Sequence, residues 1–155
     1  MYQQILCPVD GSSTSDCGMT HAIALAKDQK AHLHFLHVVD NYFPIVDITG
    51  DLNYIDITER LREHGKTILT QAIEAAKLAD VSASTQLVTS TRGQIYKSIL
   101  DYAEQCQADL IVMGTHGLRG VERLVMGSDA ETIARTSPVP VLLVRTKLKT
   151  KKAKT

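Results

Sequence analysis

No apolar run in the 155 residues approaches the ~20 needed to cross a bilayer, so no membrane-spanning helix is expected. The opening residues, Met1-Tyr2-Gln3-Gln4-Ile5-Leu6, lack both a basic leader region and a long apolar one. No signal peptide is expected there, and the expected location is the cytoplasm. Cysteine is scarce: Cys7, Cys17 and Cys106 are odd in number, unrelated in spacing and include no CxxC pair. That argues against a disulfide framework and against a zinc site. Cys7 and Cys106 fall in apolar patterns and read as buried, inert thiols. Three familiar signatures are also missing: the Walker Gly-x-x-x-x-Gly-Lys-Ser/Thr, the dinucleotide Gly-x-Gly-x-x-Gly and the hydrolase Gly-x-Ser-x-Gly.

Net charge is missing too, but only as a sum. The segment after Val144 holds Arg145, Lys147, Lys149, Lys151, Lys152 and Lys154 and no acid. Without those six, 11 basic residues face 17 acidic ones, and the body carries −6. An acidic body speaks against binding duplex nucleic acid, which requires phosphates to be neutralised. Residues 147–155 read as a solvated, disordered Lys-rich tail.

What is present is an ordinary soluble composition, 44% hydrophobic and 22% charged, long enough to bury roughly 70% of the unfolded surface. Ile5-Leu6-Cys7-Pro8-Val9 reads as a buried strand running into the turn Asp10-Gly11-Ser12-Ser13. The helix after it is expected from Ser15 or Asp16, with His21-Ala22-Ile23-Ala24-Leu25-Ala26 supplying a small-residue face. Residues 31–39 alternate as a second strand, which puts His32 and His34 on one face. Without a third ligand nearby, these two read as a solvent-facing or hydrogen-bonded pair rather than a metal site. Residues 40–56 form a long irregular connection with Pro44 and Gly50, of a length often used for binding, in which Tyr42 and Phe43 can equally cover the core edge.

From about Ile57 a long helix is expected, with Ile57, Leu61, Gly65, Ile68, Ala72, Ala75 and Ala79 on one face. Gly65 on that face signals close approach of another element. Ser84 to Val88 is a weaker third strand near an edge. Thr91-Arg92-Gly93 turns into a helix facing inward with Ile95, Ile99, Ala103 and Cys106. Ala108 to Met113 is apolar apart from Asp109 near its start and so expected to be buried on both faces. A helix through Ala130, Ile133 and Ala134 and a fifth strand, 139–144, complete the series. The β-α alternation implies a parallel sheet covered on both sides, a three-layer α/β/α sandwich in one domain over 1–146. In such a sheet, ligands bind beyond the carboxyl ends of the strands where the winding reverses. Asp10 and Gly114 meet there if the first and fourth strands are neighbours.

The chemistry-bearing stretch is Gly114-x-x-Gly117, nine residues, then Gly127-Ser128. Glycines there allow a tight turn with inward N–H groups. Gly127 and Ser128 open a helix whose N-terminal amides suit a phosphate, and the Ser128 hydroxyl can add a hydrogen bond. Chance gives this spacing at about the 1% level in a chain of this size.

With these residues in place the sequence resembles the universal stress proteins, in particular their ATP-binding branch. The resemblance rests on Ile5 to Ser12, Leu36-His37-Val38-Val39, Asp109 to Gly117, Gly127-Ser128 and Pro138 to Val144. It implies a five-stranded parallel sheet of order 3-2-1-4-5, of the adenine nucleotide α-hydrolase-like type. It further implies an adenine-nucleotide site with Asp10, Val38, Gly114, Gly117, Gly127 and Ser128. To these the residue reading adds Pro8, Val9 and Met113 at the strand ends, His116 between the first two glycines, and Arg119 as a phosphate partner beyond them. Asp10 would lie beside ribose or adenine, Val38 would offer backbone groups to the base, and the glycines and Ser128 would cradle phosphates, accompanied by Mg²⁺. The implied ligand is ATP, with ADP and AMP left open by Asp129. That carboxylate follows Ser128 where the family often has an apolar or small residue. It repels a triphosphate unless it faces away or helps hold a metal ion. Strand 139–144 would pair with its copy in a homodimer, which also protects an apolar edge.

The expected role is a regulatory or signalling module in stress response, with an unknown protein partner and little or no turnover. The alternative is a slow ATPase or other nucleotide-hydrolysing enzyme of the same structural group. Against it, the chain lacks the Ser-Gly-Gly-x-Asp-Ser loop of the pyrophosphatases and the second histidine of a His-x-Gly-His site, and no acid or nucleophile is evident to partner His116.

Overall fold

The computed structural model describes residues 1–41, 54–90, 92–115 and 126–146. Strands and helices alternate along them as β1 (Gln4–Pro8), α1 (Ser13–Gln29), β2 (His32–Asp40), α2 (Tyr54–Leu78), β3 (Ala83–Ser90), α3 (Ile95–Gln105), β4 (Leu110–Gly114), α4 (Ser128–Thr136) and β5 (Val141–Val144). The five strands are all parallel in the order β3-β2-β1-β4-β5, as the resemblance implied.

Side-chain alternation along the strands divides the core in two. Ile5, Cys7, Leu33, Phe35, Leu110 and Val112 pack on one face with Ala22 and Ala26 of α1 and Ile68, Leu69, Ala72 and Ala76 of α2. Leu6, Leu36, Ile111 and Met113 pack on the other with Ile99 and Ala103 of α3 and Ala130 and Ile133 of α4. Both faces of β4 are thus covered, which explains its unbroken apolar run. The Cys7 thiol is fully buried, and desolvation pushes its pKa up to about 12, so it is inert at neutral pH.

Several boundaries differ from the sequence reading, each for a physical reason. α1 begins at Ser13 because Ser12 is its N-cap, with the Ser12 hydroxyl accepting from the Ser15 N–H. In α2 the buried face runs through Gly65, Ile68, Leu69, Ala72 and Ala76, while Ala75 is only half-buried. A 3.6-residue period drifts past a strict alternation of threes and fours. Ala134 of α4 is exposed, leaving Ala130 and Ile133 as the buried residues of that helix. β5 starts only after Pro140, since Ser137 caps the Val139 N–H and shapes that stretch as a turn.

Gly65 meets the expectation of close approach. A β-carbon there would lie 2.5 Å from His37 Cδ2 and 2.7 Å from Leu87 Cδ1. His32 and His34 form a hydrogen-bonded pair. Ser82 and Ser84 contact the two ring nitrogens of His32 at 2.8 and 3.1 Å, and Ser84 and Gln4 contact those of His34 at 3.0 and 2.7 Å. Among the described residues, no group of three or more His, Cys, Asp or Glu is placed to hold a metal ion.

Candidate functional site

The winding reverses between β1 and β4. β1 hands the chain to α1 on one face, and β4 leads to α4 on the other, yet the two strands are neighbours, pairing Ile5 with Leu110 and Leu6 with Ile111. A crevice therefore opens beyond Pro8 and Gly114, the place where open α/β sheets take ligands.

One wall is the turn from β1 into α1. The Asp10 N–H donates to Ser15 Oγ at 3.1 Å, and Asp10 Oδ1 accepts from the Ser12 N–H at 2.9 Å. Gly11 permits the turn with φ of +79°. Asp10 is thus held half-buried at the crevice by a short polar loop. Val9 belongs to the frame. Its side chain is buried in the α1/α2 core, its N–H donates to the Leu36 carbonyl at 2.8 Å, and its carbonyl accepts from His37 Nδ1 at 2.8 Å. Pro8, by contrast, follows the alternation onto the same face as Leu6, Val38 and Met113.

The second wall is the free upper edge of β2. The Leu36 carbonyl bonds β1 and the His32 N–H bonds Gln3, whereas the Leu33 N–H bonds Ser82 beside β3. Even-numbered backbone groups of β2 therefore face β1. β1 ends in register with Leu36, so the Val38 backbone points into the gap where β1 has turned away. This supplies a physical reason for the role that the resemblance gives Val38.

The third wall is the end of β4 and the start of α4. Met113 and Gly114 close β4, and Gly127 is the N-cap of α4 with Ser128 its first residue. The two glycines have different reasons. A β-carbon on Gly114 would lie 2.6 Å from the Thr14 carbonyl oxygen, and one on Gly18 of α1 would lie 2.9 Å from the Gly114 nitrogen. Gly114 thus lets α1 press against the strand. Gly127 adopts φ −61° and ψ 145°, a conformation open to any residue, and its N–H is taken by the Thr115 carbonyl at 2.9 Å. The α4 amides without intrahelical partners are those of Ser128, Asp129 and Ala130, at the positive end of the helix dipole. Asp129 and Glu131 share that first turn.

His116, Gly117 and Arg119 lie outside the described residues, as do Tyr42, Phe43, Pro44, Gly50 and the tail 147–155. Of the described positions, the structure brings Pro8, Asp10, Val38, Met113, Gly114 and the α4 start to one end of the sheet. The sequence reading missed Ser12, Ser15 and His37, which hold the Asp10 turn, and Gly18, which matches Gly114. A glycine inside the first helical segment was the available signal for the last. Asn41 Oδ1, Thr58 Oγ1 and Ser90 Oγ are buried without hydrogen-bond partners, and Asn41 and Ser90 stand at the carboxyl ends of β2 and β3. Native cores leave few such groups, and they are found where a ligand or water completes the set.

His34 and His37 both have pKa values lowered from 6.5, chiefly by burial; His32 adds to the effect on His34, and the Val9 carbonyl and Asp10 partly oppose it on His37. The unfolded chain then takes up protons more readily than the folded one. Stability is complete above about pH 6.5 and declines as pH falls from there toward the lowered values. The urea midpoint is expected to drop between pH 7.5 and 5.5, and replacing both histidines by glutamine should flatten that drop. A wild-type midpoint independent of pH over this interval would contradict the assignment.

The doubly wound parallel sheet, with a polar crevice at its switch point, defines an open α/β protein. The universal stress protein family model matches residues 1–145, and the chain belongs to that family. It is similar to universal stress protein MJ0531 of Methanocaldococcus jannaschii, 35% identical over 145 residues that make up 94% of this chain and 83% of the relative. It also resembles the solved structure of UspA from Lactobacillus plantarum, with a TM-score of 0.81, 27% identity and coverage of 93% and 98% of the two chains. Two more distant structures share the fold. One is a universal stress protein in complex with cAMP, at TM-score 0.68, 24% identity and coverage of 94% and 99%. The other is the Archaeoglobus fulgidus protein in complex with dAMP, at 0.63, 21% and coverage of 92% and 98%.

Proposed function

We propose that this protein binds an adenine nucleotide in the crevice between β1, β2 and β4 and acts as a nucleotide-responsive regulatory module with little or no turnover. The observation that carries this reading is the convergence of Asp10, the free Val38 backbone and the α4 N-terminus at one switch point. Asp10 offers a carboxylate to ribose hydroxyls, Val38 offers an N–H and a carbonyl to a base edge, and the α4 amides with Ser128 offer donors to phosphate. Gly117 belongs to the same reading through the family signature, and His116 and Arg119 through their places between its glycines in the sequence. The cAMP and dAMP complexes of relatives support an adenylate as the ligand class. ATP with Mg²⁺ extends it: the ion would ride on phosphate oxygens, with Asp129 at the α4 start a candidate to assist.

The test is calorimetric titration with AMP, ADP and ATP, with and without Mg²⁺, followed by product analysis. Saturable binding of at least one adenine nucleotide, with turnover far below about 1 per second, is the expected result. No binding would end the nucleotide reading, and turnover at or above that rate would replace the regulatory role with an enzymatic one.

The same proposal includes a homodimer through β5, placed in the cytoplasm. β5 is an edge strand with Leu142 42% exposed, and exposed apolar edges are normally paired or covered. Sedimentation at micromolar concentration is expected to show a dimer, and Leu142→Asp a monomer. A monomeric wild type would remove the dimer.

A further inference from the structure

We infer that His37 is a positioning residue for the nucleotide site, holding Asp10 and the Val38 backbone in mutual register. The inference rests on the nucleotide reading above and concerns a residue that contacts no proposed ligand group itself.

His37 is buried at 8% exposure in the upper part of β2, one residue before Val38. Its Nδ1 lies 2.8 Å from the Val9 carbonyl. A carbonyl only accepts, so this ring nitrogen carries the proton, and the tautomer is fixed. The Val9 N–H is meanwhile bonded to Leu36 at 2.8 Å. Two consecutive residues of β2 therefore clamp both polar groups of Val9, the residue directly before Asp10. Beyond this clamp β1 leaves the sheet, and the Ser12 and Ser15 bonds shape the turn that carries Asp10. The His37 bond thus ties the end of β1 to β2 beside the crevice.

The space for the ring is made by Gly65. A β-carbon there would stand 2.5 Å from Cδ2 and 3.0 Å from Nε2 of His37. α2 thus presses the imidazole toward Val9 from the opposite side, and two elements distant in sequence converge on one hydrogen bond. Hydrophobic burial alone would be served by an aliphatic side chain at position 37 and an alanine at 65. The pairing of a histidine with a glycine suits a polar tie that must be held in place.

The test compares AMP affinity and melting temperature in the wild type, His37→Asn, His37→Leu and Gly65→Ala. Asparagine can place an amide N–H near the position of Nδ1; leucine fills the volume without a donor; alanine at 65 pushes the ring off its acceptor. His37→Leu and Gly65→Ala are expected to weaken AMP binding roughly three- to tenfold, the loss of about one hydrogen bond's ordering. His37→Asn is expected to stay within about twofold of wild type even where its melting temperature falls. A purely structural role would instead make affinity indifferent to whether leucine or asparagine occupies the site. Unchanged affinity in His37→Leu, or equal losses in His37→Leu and His37→Asn, overturns the inference. Should His37→Leu fail to fold, Gly65→Ala decides: weakened binding supports the tie, and wild-type binding overturns it. A wild type that binds no adenine nucleotide removes the parent reading instead, and the inference with it.

Discussion

Replacing Gly114 by valine is expected to destabilise the fold by about 3 kcal/mol, while the same change at Gly127 costs far less. At Gly114 the added β-carbon would lie 2.6 Å from the Thr14 carbonyl oxygen and 2.8 Å from its carbon. These are backbone atoms at the start of α1, so relief requires moving the helix and not merely a side chain. Overpacking of this kind costs roughly 1–3 kcal/mol, and backbone overlap places Gly114 at the upper end. For a chain of this size that is roughly 6–12 °C of melting temperature. Gly127 has φ −61° and ψ 145°, where any side chain is tolerated. Thermal melts of Gly114→Val and Gly127→Val measure the difference directly. Equal effects would mean that α1 does not seat on β4 through Gly18 and Gly114.

The second large effect is on binding. Asp10→Asn is expected to weaken nucleotide affinity roughly ten- to a hundredfold while leaving stability within about 0.5 kcal/mol of wild type. The separation follows from the two tasks of this side chain. Oδ1 accepts from the Ser12 N–H at 2.9 Å and so shapes the turn into α1. An asparagine carbonyl accepts the same bond, so the turn survives. What is lost is the charged acceptor available to sugar hydroxyls, and hydrogen bonds to charged groups are worth roughly 1.5–3 kcal/mol. Asp10→Ala removes both tasks and should lose stability as well, since the part-buried Ser12 N–H loses this acceptor. Titration calorimetry beside urea denaturation of the two variants distinguishes these outcomes. Wild-type affinity in Asp10→Asn would move the ligand away from the β1 turn.

These two residues also mark what could be read from the sequence. The sheet was legible because hydrophobic runs, their β-α alternation and one glycine signature carry the topology, and the family resemblance supplied the strand order. The meeting of β1 and β4 at the switch point followed from that order. What could not be read was the reason for each residue. Gly114 looks like half of a phosphate turn, yet its lack of a side chain is required by α1 from the far side of the strand. Val9 stands among the expected site residues, and in the structure both its polar groups are hydrogen-bonded and its side chain is buried in the core. Such distinctions depend on which way a side chain points and on what packs behind it, and neither is local in sequence. The clamp formed by His37 and Gly65 brings together residues on β2 and α2, and no spacing rule connects them. Helix starts shifted for a similar reason: Ser12 outcompetes Ser15 as a cap because Ser15 is already engaged by the Asp10 N–H.

The central claim is that the crevice at the β1/β4 switch point holds an adenine nucleotide. Its most direct test is titration calorimetry of AMP and ATP with Mg²⁺ against the wild type and Asp10→Asn in parallel. Saturable binding of an adenine nucleotide to the wild type, lowered at least about tenfold in Asp10→Asn at unchanged stability, is the predicted result. Absence of binding to the wild type, or equal affinity in both proteins, would contradict it.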